Sequence, residues 1–557
     1  MFLLAFLLAA LALARPASAA PAVTAVGTGA VHSCAVLGDG GALTCWGLDV
    51  FGNVGTGVPF DADATCPSGP CRPTPTPVVG LGAGVAAVGA GAEHTCALTR
   101  AGAVWCWGLG TSGQLGNGQR PGGNGGVPTP VRVTGLDRDV QAIATGGDHS
   151  CALTTAGAVL CWGANAFGQL GDGTDVDRFA PVPVSGLDSG VTAIAAGQSH
   201  SCAVLVSGAV KCWGLTRFGA VGNGSPTGPD ICSGNLCAAT PVPVVGLDHG
   251  VRSVTAGNDD TCVLTTAGGV LCWGFGGVGA LGNGSDTTTY APADPVVGLD
   301  HGVVAVDAGT GNTCALLATG AVKCWGSNLF GQLGDGSGAN STVPVAVGGL
   351  DHGVTAISAD DSSCAALATG ELRCWGRNAA GQVGDGTTTD RPVPVTVTPP
   401  RIPTRVTAAP QLVLFGPPFG IGFQTVQATL TASGAPLASR TVTFSVAGLP
   451  LCSAVTRIDG VASCRIGLLA ELFLLVHNGY TARFAGDRTY DAAVGSTPVV
   501  TLVATATASV ARVTRPRARE RVRIVGVRRM QAGRYTLEMR LNNGRHIRRT
   551  VTLEPRE

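Results

Sequence analysis

Cys151-Ala-Leu-Thr-Thr-Ala-Gly-Ala-Val-Leu-Cys161-Trp162-Gly163, followed by Ala-Asn-Ala-Phe-Gly-Gln-Leu-Gly-Asp-Gly173, is the stretch that decides the fold of this 557-residue chain. The chain contains seven copies of this unit, and their first cysteines lie 50 to 62 residues apart. Repeats of this length are typical of propellers and solenoids, in which a unit buries its apolar face only against its neighbours. Most inferences about the fold of this chain therefore follow from the repetition.

Each copy predicts a β-hairpin. Two short apolar runs flank Thr155-Ala-Gly157, a three-residue loop of the kind that closes a type I turn with a left-handed residue. If Thr154 pairs with Ala158, Cys151 lies opposite Cys161, and modest local twist brings the two sulfurs within disulfide range. The glycine-rich turn after Trp-Gly, a Pro-Val-Pro-Val run and a later Val-rich run complete about four strands per copy. Seven such units predict an all-β ring of four-stranded blades.

The units resemble regulator of chromosome condensation repeats. That family's pattern is Gly-x-x-His-x-x-x-Leu, then Gly-x-Val-x-x-Trp-Gly-x-Asn-x-x-Gly-Gln-Leu-Gly. Gly147-Asp-His149-Ser-Cys-Ala-Leu153 matches the first part, and Gly157-Ala-Val159 through Gly171 matches the second. The similarity covers roughly residues 22–396. It implies a seven-bladed β-propeller, which we assign to residues 21–396.

The cysteines form ten local pairs. An even number of cysteines in nearby pairs favours disulfides and an oxidising compartment. Zinc would need two close pairs that converge, whereas here each pair sits on its own blade or loop. The expected pairs are Cys34 with Cys45, Cys66 with Cys71, Cys96 with Cys106, Cys151 with Cys161, Cys202 with Cys212, Cys232 with Cys237, Cys262 with Cys272, Cys314 with Cys324, Cys364 with Cys374, and Cys452 with Cys464.

Two further repeat positions carry aromatic or titratable side chains. The tryptophans of Cys-Trp-Gly are interpreted as packing between blades, not as a ligand cage: Trp46, Trp107, Trp162, Trp213, Trp273, Trp325 and Trp375. One histidine position holds His32, His94, His149 and His200, and then Asp260, Asn312 and Ser362. Polar residues that interchange in this way favour a structural hydrogen bond to a turn backbone over a metal or catalytic role. We expect no catalytic residue, no metal and no cofactor.

The N-terminus indicates export. Residues 1–20 are an apolar run ending Ala17-Ser-Ala19, typical of a secretory signal peptide, although its basic n-region is missing. The run is too short to anchor a protein in a membrane, so we expect no membrane span after its removal. Charged residues make up 13% of the chain, against about 25% in an average domain. The Ala/Gly/Arg bias fits a high-GC bacterium, and the expected location is extracellular or the cell surface.

Three further segments follow the repeats. Residues 397–404 predict a stiff Pro-rich linker. Residues 405–503 resemble a bacterial immunoglobulin-like domain, in the strand pattern of Gly434 to Phe444 and the segment Gly479-Tyr-Thr-Ala-Arg-Phe-Ala-Gly-Asp487. Residues 504–557 are Arg-rich: 14 Arg and 4 Glu in 507–557 give +10. This segment predicts a basic hairpin that either binds an anionic envelope polymer or forms a solvated edge.

Insertions lengthen the first and fourth copies after the Gly-x-Gly turn, so both should project from the same rim. They are either recognition loops or tolerated surface insertions.

The favoured function is a secreted or cell-surface, non-catalytic scaffold whose propeller loops bind a protein or glycan. The alternative is inhibition of a secreted enzyme, as in propeller-type β-lactamase inhibitors of similar fold. Guanine-nucleotide exchange, implied by the family's nuclear member, is disfavoured by export and by the cysteine pattern.

Overall fold

The computed structural model describes residues 21–58, 64–292, 295–409, 411–415, 424–466, 474, 477, 479–497, 499–505, 533–540 and 546–553. The predicted signal peptide, residues 1–20, lies outside the described residues. The chain divides into two compact units, Met1–Ile402 and Pro403–Glu557. The division falls within the segment predicted as a linker, and each unit is described by itself.

The first unit is a ring of seven antiparallel blades, which confirms the all-β propeller fold. Blades 1 to 3 comprise β1 (Val23–Thr28), β2 (His32–Leu37), β3 (Ala42–Leu48), β4 (Ala64–Cys66) and β5 (Gly69–Pro77); β6 (Val85–Ala90), β7 (His94–Thr99), β8 (Val104–Leu109) and β9 (Gly126–Arg132); and β10 (Val140–Thr145), β11 (His149–Thr154), β12 (Val159–Gly163) and β13 (Arg178–Pro183).

Blades 4 and 5 comprise β14 (Val191–Ala196), β15 (His200–Leu205), β16 (Val210–Leu215), β17 (Asp230–Cys232) and β18 (Asn235–Pro243); and β19 (Val251–Ala256), β20 (Asp260–Thr265) and β21 (Val270–Gly274), with a short 3-10 turn at Gly277–Gly279. Blades 6 and 7 comprise β22 (Val303–Ala308), β23 (Asn312–Leu317), β24 (Val322–Gly326) and β25 (Ser341–Ala346); and β26 (Val354–Ala359), β27 (Ser362–Leu367), β28 (Leu372–Gly376) and β29 (Arg391–Val397).

Among its described residues, blade 5 has three regular strands where the sequence predicts four. Two isolated bridges, Leu271 to Pro295 and Gly274 to Thr289, stand where the other blades have a fourth strand. This copy carries Ala291-Pro-Ala-Asp-Pro295 in place of Pro-Val-Pro-Val. Proline lacks the N–H that a strand ladder needs, and no β-branched residue separates these two prolines.

The hairpin register within each blade is the one that the sequence predicts. In blade 3, Cys151 lies opposite Cys161, and the Thr154 amide donates to the Ala158 carbonyl over 2.9 Å. The cysteines of blade 1 are also directly opposed, because the extra residue of that copy is absorbed in the turn 38–41.

Each blade hairpin is closed by a disulfide between its two central strands. The paired Cα atoms lie 4.0 to 4.1 Å apart in all seven blades. In blade order the structure joins Cys34 to Cys45, Cys96 to Cys106, Cys151 to Cys161, Cys202 to Cys212, Cys262 to Cys272, Cys314 to Cys324, and Cys364 to Cys374. These are the pairs that the spacing of the repeats predicts.

The hydrophobic core lies between the blades. In six clusters the disulfide of one blade packs with the tryptophan of the next, as Cys151 and Cys161 do with Trp213. All seven tryptophans of the repeats are fully buried. The Trp213 Nε1 donates to the Gln169 carbonyl of the preceding blade over 2.9 Å, and the other six make the same bond over 2.8 to 2.9 Å. Gly171 has φ +70°, and a Cβ there would lie 2.7 Å from the Trp213 Nε1, so glycine is required.

The ring closes without strand exchange. Every described strand of blade 1 comes from residues 23–77, and every described strand of blade 7 comes from residues 354–397. Between these blades, Trp46 Nε1 and Ser33 Oγ both donate to the Gln382 carbonyl, over 2.8 and 2.9 Å. The closing interface thus has the same indole and hydroxyl hydrogen bonds as the interface between blades 3 and 4.

The described residues of the second unit form three β-sheets. Their strands are β30 (Thr404–Ala408), β31 (Gln411–Phe415), β32 (Gln424–Ala432), β33 (Ala435–Pro436), β34 (Thr441–Val446), β35 (Leu449–Val455), β36 (Val461–Ile466), β37 (Tyr480–Phe484), β38 (Ala493–Thr497), β39 (Val499–Thr505), β40 (Gly533–Arg540) and β41 (His546–Leu553). One sheet joins β30, β32, β33 and β36; a second has the order β35-β34-β37-β38; a third has the order β31-β39-β40-β41.

The first two sheets of this unit are linked by the Cys452–Cys464 disulfide, which joins β35 to β36. Val426, Ala428 and Leu430 on β32 are buried, as are alternate residues of β34. The C-terminal hairpin pairs β40 with β41 in antiparallel register. The immunoglobulin-like assignment stays a prediction. Within the part of the chain that the structure describes, no helix is long and apolar enough to cross a membrane.

The indole hydrogen bond between blades should be measurable. We expect Trp213→Phe to lower the free energy of unfolding by about 2–3 kcal/mol, because it removes a buried hydrogen bond and leaves a cavity. Trp105→Phe is the control: Trp105 is half-buried and stacks against Arg132 at 4.9 Å, so its loss should cost less than about 1 kcal/mol. Equal effects of the two variants in denaturant titrations would contradict the role assigned to the interblade indoles.

Candidate binding face

The two ends of the ring differ in what they carry. One end, which we call the loop face, holds the connections between first and second strands and those between third and fourth strands. The other end, the turn face, holds the tight turns between second and third strands. Both insertions follow the third strand of their blade, so both belong to the loop face. Residues 59–63 of the first insertion lie outside the described residues.

The insertions are hairpins that lie along the blades. β4 with β5, and β17 with β18, add a fifth strand to the outer edges of blades 1 and 4. Sequence reasoning expected loops that project from the rim. The structure differs because strand pairing satisfies the backbone hydrogen-bonding groups that a projecting loop would leave to water.

Each inserted hairpin is also fixed to the preceding blade. The Ser233 amide and hydroxyl donate to Asp175 Oδ2 of blade 3 over 2.9 and 3.1 Å. In the other hairpin, the Ser68 hydroxyl donates to the Ala379 carbonyl of blade 7 over 3.3 Å. The disulfides Cys66–Cys71 and Cys232–Cys237 close the hairpins with Cα separations of 5.8 and 5.9 Å. Both hairpins are therefore rigid parts of the loop face.

The hairpin of blade 4 presents an aliphatic pair to solvent. Ile231 and Leu236 are direct cross-strand partners and are 73% and 42% exposed, while Cys232 and Cys237 beside them are buried. Sequence analysis did not single out this pair. The signal was present, because a residue next to a disulfide cysteine on a strand points to the opposite side from the disulfide. In the blade 1 hairpin the same two positions hold Thr65 and Pro70.

The repeated Asn-x-x-Gly-Gln-Leu-Gly-Asp-Gly segment shapes the loop face. The buried Asn165 accepts from the Leu170 amide over 3.0 Å and donates to Asp172 Oδ1 over 3.2 Å. Arg178 pairs with Asp172 at 2.7 Å. Burial opposes the charge of Asp172, but hydrogen bonds from Thr174 and Arg178 outweigh it, so the pKa of this carboxyl is lowered. The same asparagine-to-aspartate bond recurs in blades 6 and 7.

The first histidine position joins neighbouring blades. His149 Nε2 lies 2.7 Å from the Ser201 hydroxyl of the next blade, and that hydroxyl donates to the Gln169 carbonyl over 2.9 Å. Since the hydroxyl proton is committed to the carbonyl, the histidine donates from Nε2. The histidine is therefore linked to the turn backbone through the serine hydroxyl, and not by the direct hydrogen bond that the sequence predicts. Equivalent contacts of 2.7 to 2.8 Å are His32 to Thr95, His94 to Ser150 and His200 to Thr261.

The second histidine position lies on the turn face. His249, His301 and His352 are exposed, and each Nδ1 lies 2.6 to 3.0 Å from the carboxylate of the preceding aspartate. Among the described residues, no three His, Cys, Asp or Glu side chains are grouped so that they could hold a metal ion.

A central channel runs through the ring, with a cavity of about 360 Å³. It is lined by the first strand of every blade and by the residues that follow it. An aliphatic collar consists of Val26, Val88, Ile143, Ile194, Val254, Val306 and Ile357. Two carboxylates, Asp307 and Asp360, also line it. Sequence analysis did not single out either of them.

Comparison with protein families gives a match over most of the ring. A family described as the RCC1-like domain matches residues 11–299, and RCC1 repeats match 303–332 and 319–367. The ultraviolet-B receptor UVR8 of Arabidopsis thaliana is 32% identical over 46% of this chain and 56% of its own length. The mitochondrial protein RUG3 of the same plant is 33% identical over 45% of this chain and 56% of its own length.

Other similar proteins are much larger, or are solved structures. Human E3 ubiquitin-protein ligase HERC2 is 33% identical over 48% of this chain, a match that covers 5% of HERC2. Human WBSCR16 superposes with a TM-score of 0.55 at 23% identity, over 65% of this chain and 94% of the other. Yeast RCC1 (Prp20), solved bound to Kap60, superposes with a TM-score of 0.54 at 21% identity, over 64% and 83%. The chain spans about half the length of UVR8 and RUG3.

The contact of the blade 4 hairpin with blade 3 can be tested directly. We expect Asp175→Ala to increase amide exchange in residues 230–237 several-fold, because the carboxylate accepts two hydrogen bonds from Ser233. The free energy of unfolding should change by less than about 1 kcal/mol, because the site is exposed. Asp286→Ala, at an exposed loop position of blade 5, is the control and should leave residues 230–237 unchanged. Unaltered exchange in Asp175→Ala would show that the hairpin is held by other contacts.

Proposed function

Because the chain belongs to the RCC1-like domain family, we propose that it is an exported, non-catalytic scaffold that binds a protein or glycan partner through its loop face. UVR8 is named as a receptor and HERC2 as a ligase, and the match to HERC2 covers a small part of that protein. These relatives support a binding or regulatory role for a propeller of this family, and a rigid ring with variable loops suits such a role.

One observation carries this proposal: the copies that depart most from the repeat do so at the same place on the same face. Blades 1 and 4 each add a hairpin there, and each hairpin is closed by its own disulfide and bonded to the preceding blade. A rigid surface loses little conformational entropy on binding. The exposed Ile231 and Leu236 supply an apolar centre of the kind on which protein interfaces depend.

Export is supported by the disulfides. All 20 cysteines are paired, which is compatible with an extracellular protein, because reducing compartments keep thiols reduced. The apolar run of residues 1–20 supports the same location as a signal peptide.

Inhibition of a secreted enzyme is the second candidate function. It would use the same face, and it differs from scaffolding only in whether the bound partner loses activity. Guanine-nucleotide exchange is a weaker candidate, because it acts on a cytoplasmic or nuclear partner while this chain carries disulfides throughout the ring. Yeast RCC1, of the same fold, was solved with a bound protein, so the fold can accommodate a protein partner.

The binding face can be tested with full-length protein cross-linked in its own culture medium. We expect a cross-linked partner with the natural chain, and at least a tenfold loss of it in the double variant Ile231→Asp with Leu236→Asp, because charge on the hairpin disrupts an apolar contact. Val206→Asp is the matched control: Val206 is 80% exposed in the same blade but on the turn face. Loss of the partner in Val206→Asp alone would place binding on the opposite face.

The Arg-rich segment 504–557 supports a separate proposal, that it holds the protein on anionic envelope polymers. Its charge of +10 over residues 507–557 is the basis of this proposal. We expect retention on isolated cell envelopes to fall steeply between 0.05 and 0.5 M salt, roughly the range over which exposed charges become screened. Retention that is equal at low and high salt would rule out an electrostatic anchor.

A further inference from the structure

The two ends of the ring differ in charge. Among the described residues, the connections of the loop face and the nearer half of every strand carry 16 carboxylates and 6 arginines, a formal charge of −10. The turn-face end carries 8 carboxylates and 7 lysines or arginines, a formal charge of −1. The carboxylates of the loop-face end are Asp49, Glu93, Asp148, Asp172, Asp175, Asp177, Asp230, Asp259, Asp260, Asp286, Asp307, Asp335, Asp360, Asp361, Asp385 and Asp390.

The arginines of the loop face are engaged within the ring. Four of the six form ion pairs of 2.6 to 3.2 Å, namely Arg72 with Asp49, Arg178 with Asp172, Arg377 with Asp361, and Arg391 with Asp385. The other two lie over aromatic rings, Arg120 over Phe179 and Arg217 over Phe218. The remaining carboxylates therefore outnumber the positive charges that could compensate them.

Three of the carboxylates are enclosed and contribute little to the outer surface. Asp260 is buried, and Asp360 accepts hydrogen bonds from Thr310 of the preceding blade. Asp307 joins blades 5, 6 and 7, because it accepts from the Thr255 hydroxyl over 3.1 Å and from the Ala359 amide over 2.9 Å. Without these three, 13 carboxylates face 6 arginines, and the loop face keeps a formal charge of −7.

An apolar patch lies within this acidic face, on blades 3 and 4. It consists of Ile231 and Leu236 on the inserted hairpin and of Val176 in the adjoining loop of blade 3, and these side chains are 73%, 42% and 56% exposed. The two segments are held together because the Ser233 amide and hydroxyl donate to Asp175, which precedes Val176. We call these three aliphatic residues the apolar patch.

Three carboxylates border the apolar patch along the chain. Asp175 and Asp177 flank Val176, and Asp230 precedes Ile231. Among the described residues none of the three belongs to an ion pair, and the nearby Arg178 is engaged with Asp172. Each carboxylate accepts a hydrogen bond from a backbone amide, which fixes its position without supplying a positive charge. We call these three carboxylates the acidic rim.

This arrangement selects the chemistry of a partner. An apolar centre inside a polar rim is the usual anatomy of a protein interface, and the centre supplies most of the affinity. Charges of one sign around it attract a partner of the opposite sign and oppose one of the same sign, at a cost of several kcal/mol for like charges brought together. An acidic face of this kind therefore favours a basic partner.

We propose that the loop face binds a basic polypeptide, which places an aliphatic or aromatic side chain on the apolar patch and its lysines or arginines against the acidic rim. The inference rests on the proposed binding function of the loop face and names the chemistry of the partner. The same charge repels anionic glycans and polymers, so this face differs in its ligands from the Arg-rich segment 504–557.

Short peptides of equal length test this by fluorescence anisotropy with the full-length, disulfide-intact protein. The probe alternates lysine with leucine; one comparison peptide alternates lysine with serine, and another alternates glutamate with leucine. We expect the probe to bind at least about tenfold more tightly than either comparison peptide, because only the probe supplies both the charge and the apolar anchor. Its affinity should fall steeply from roughly 0.05 to 0.5 M salt. Equal binding of the glutamate–leucine peptide overturns the proposal.

A triple variant tests the acidic rim. Asp175→Asn with Asp177→Asn and Asp230→Asn removes three charges and keeps an oxygen that can accept from each amide. We expect it to weaken binding of the lysine–leucine peptide roughly tenfold, because each exposed ion pair is worth up to a few-fold in affinity. The matched control removes three exposed charges from the turn face, with Asp39→Asn, Asp139→Asn and Asp188→Asn, and should bind as the natural chain does. Equal effects of the two triple variants would show that net charge alone decides binding.

A second variant tests the apolar patch at constant charge. Ile231→Thr with Leu236→Thr should weaken binding of the lysine–leucine peptide at least about tenfold and leave the lysine–serine peptide unaffected, because only the first peptide has an apolar anchor to lose. Val206→Thr, at an exposed site of the same blade on the turn face, is the control. An unchanged affinity in the threonine double variant rules out the apolar patch as the anchor site.

Two further results would overturn this inference and leave the proposed function standing. One is a natural partner that cross-links to the rim triple variant as well as to the natural chain, since the loop face would then bind through other chemistry. The other is self-association of the natural chain that disappears in the rim triple variant while the lysine–leucine peptide does not bind. That result would assign the face to a second copy of this chain.

Discussion

The structure depends on a single repeated contact, the indole of each blade against the disulfide and the turn of the blade before it. A four-stranded sheet of small residues cannot bury its own faces, so each blade is stable only where two neighbours cover it. The indole N–H donates to a carbonyl of the preceding blade at all seven interfaces, including the one that closes the ring. Directional hydrogen bonding in the buried contact fixes the angle between blades as well as their spacing.

The disulfides complement this contact. Each blade disulfide joins two strands that are already paired, so it adds little to the architecture but restricts the unfolded hairpin. The buried sulfurs also provide the surface on which the next indole packs. A chain with 13% charged residues and abundant glycine has few other means of holding short strands in register, and the covalent links serve that purpose.

A regular ring allows departures from the repeat to be interpreted. The inserted hairpins, the three regular strands described for blade 5 and the absence of the first-position histidine from blades 5 to 7 are each confined to particular blades. The first of these produces a distinctive surface on the loop face, and the last limits the histidine contact to four of the seven interfaces. The hairpins come from inserted segments and the missing histidines from side-chain differences, so one scaffold combines a fixed shape with local variation.

The sequence by itself determined the propeller, the number of blades and the pairing of Cys151 with Cys161, because these follow from spacing along one strand or one turn. It also identified the tryptophans as packing residues, since a large apolar residue in every copy has to be buried. It did not reveal that the ring closes without strand exchange, that Ser233 contacts Asp175, or that Asp307 joins blades 5, 6 and 7. These contacts join residues about 50 or more positions apart, and only the curvature of the closed ring brings them within hydrogen-bonding distance.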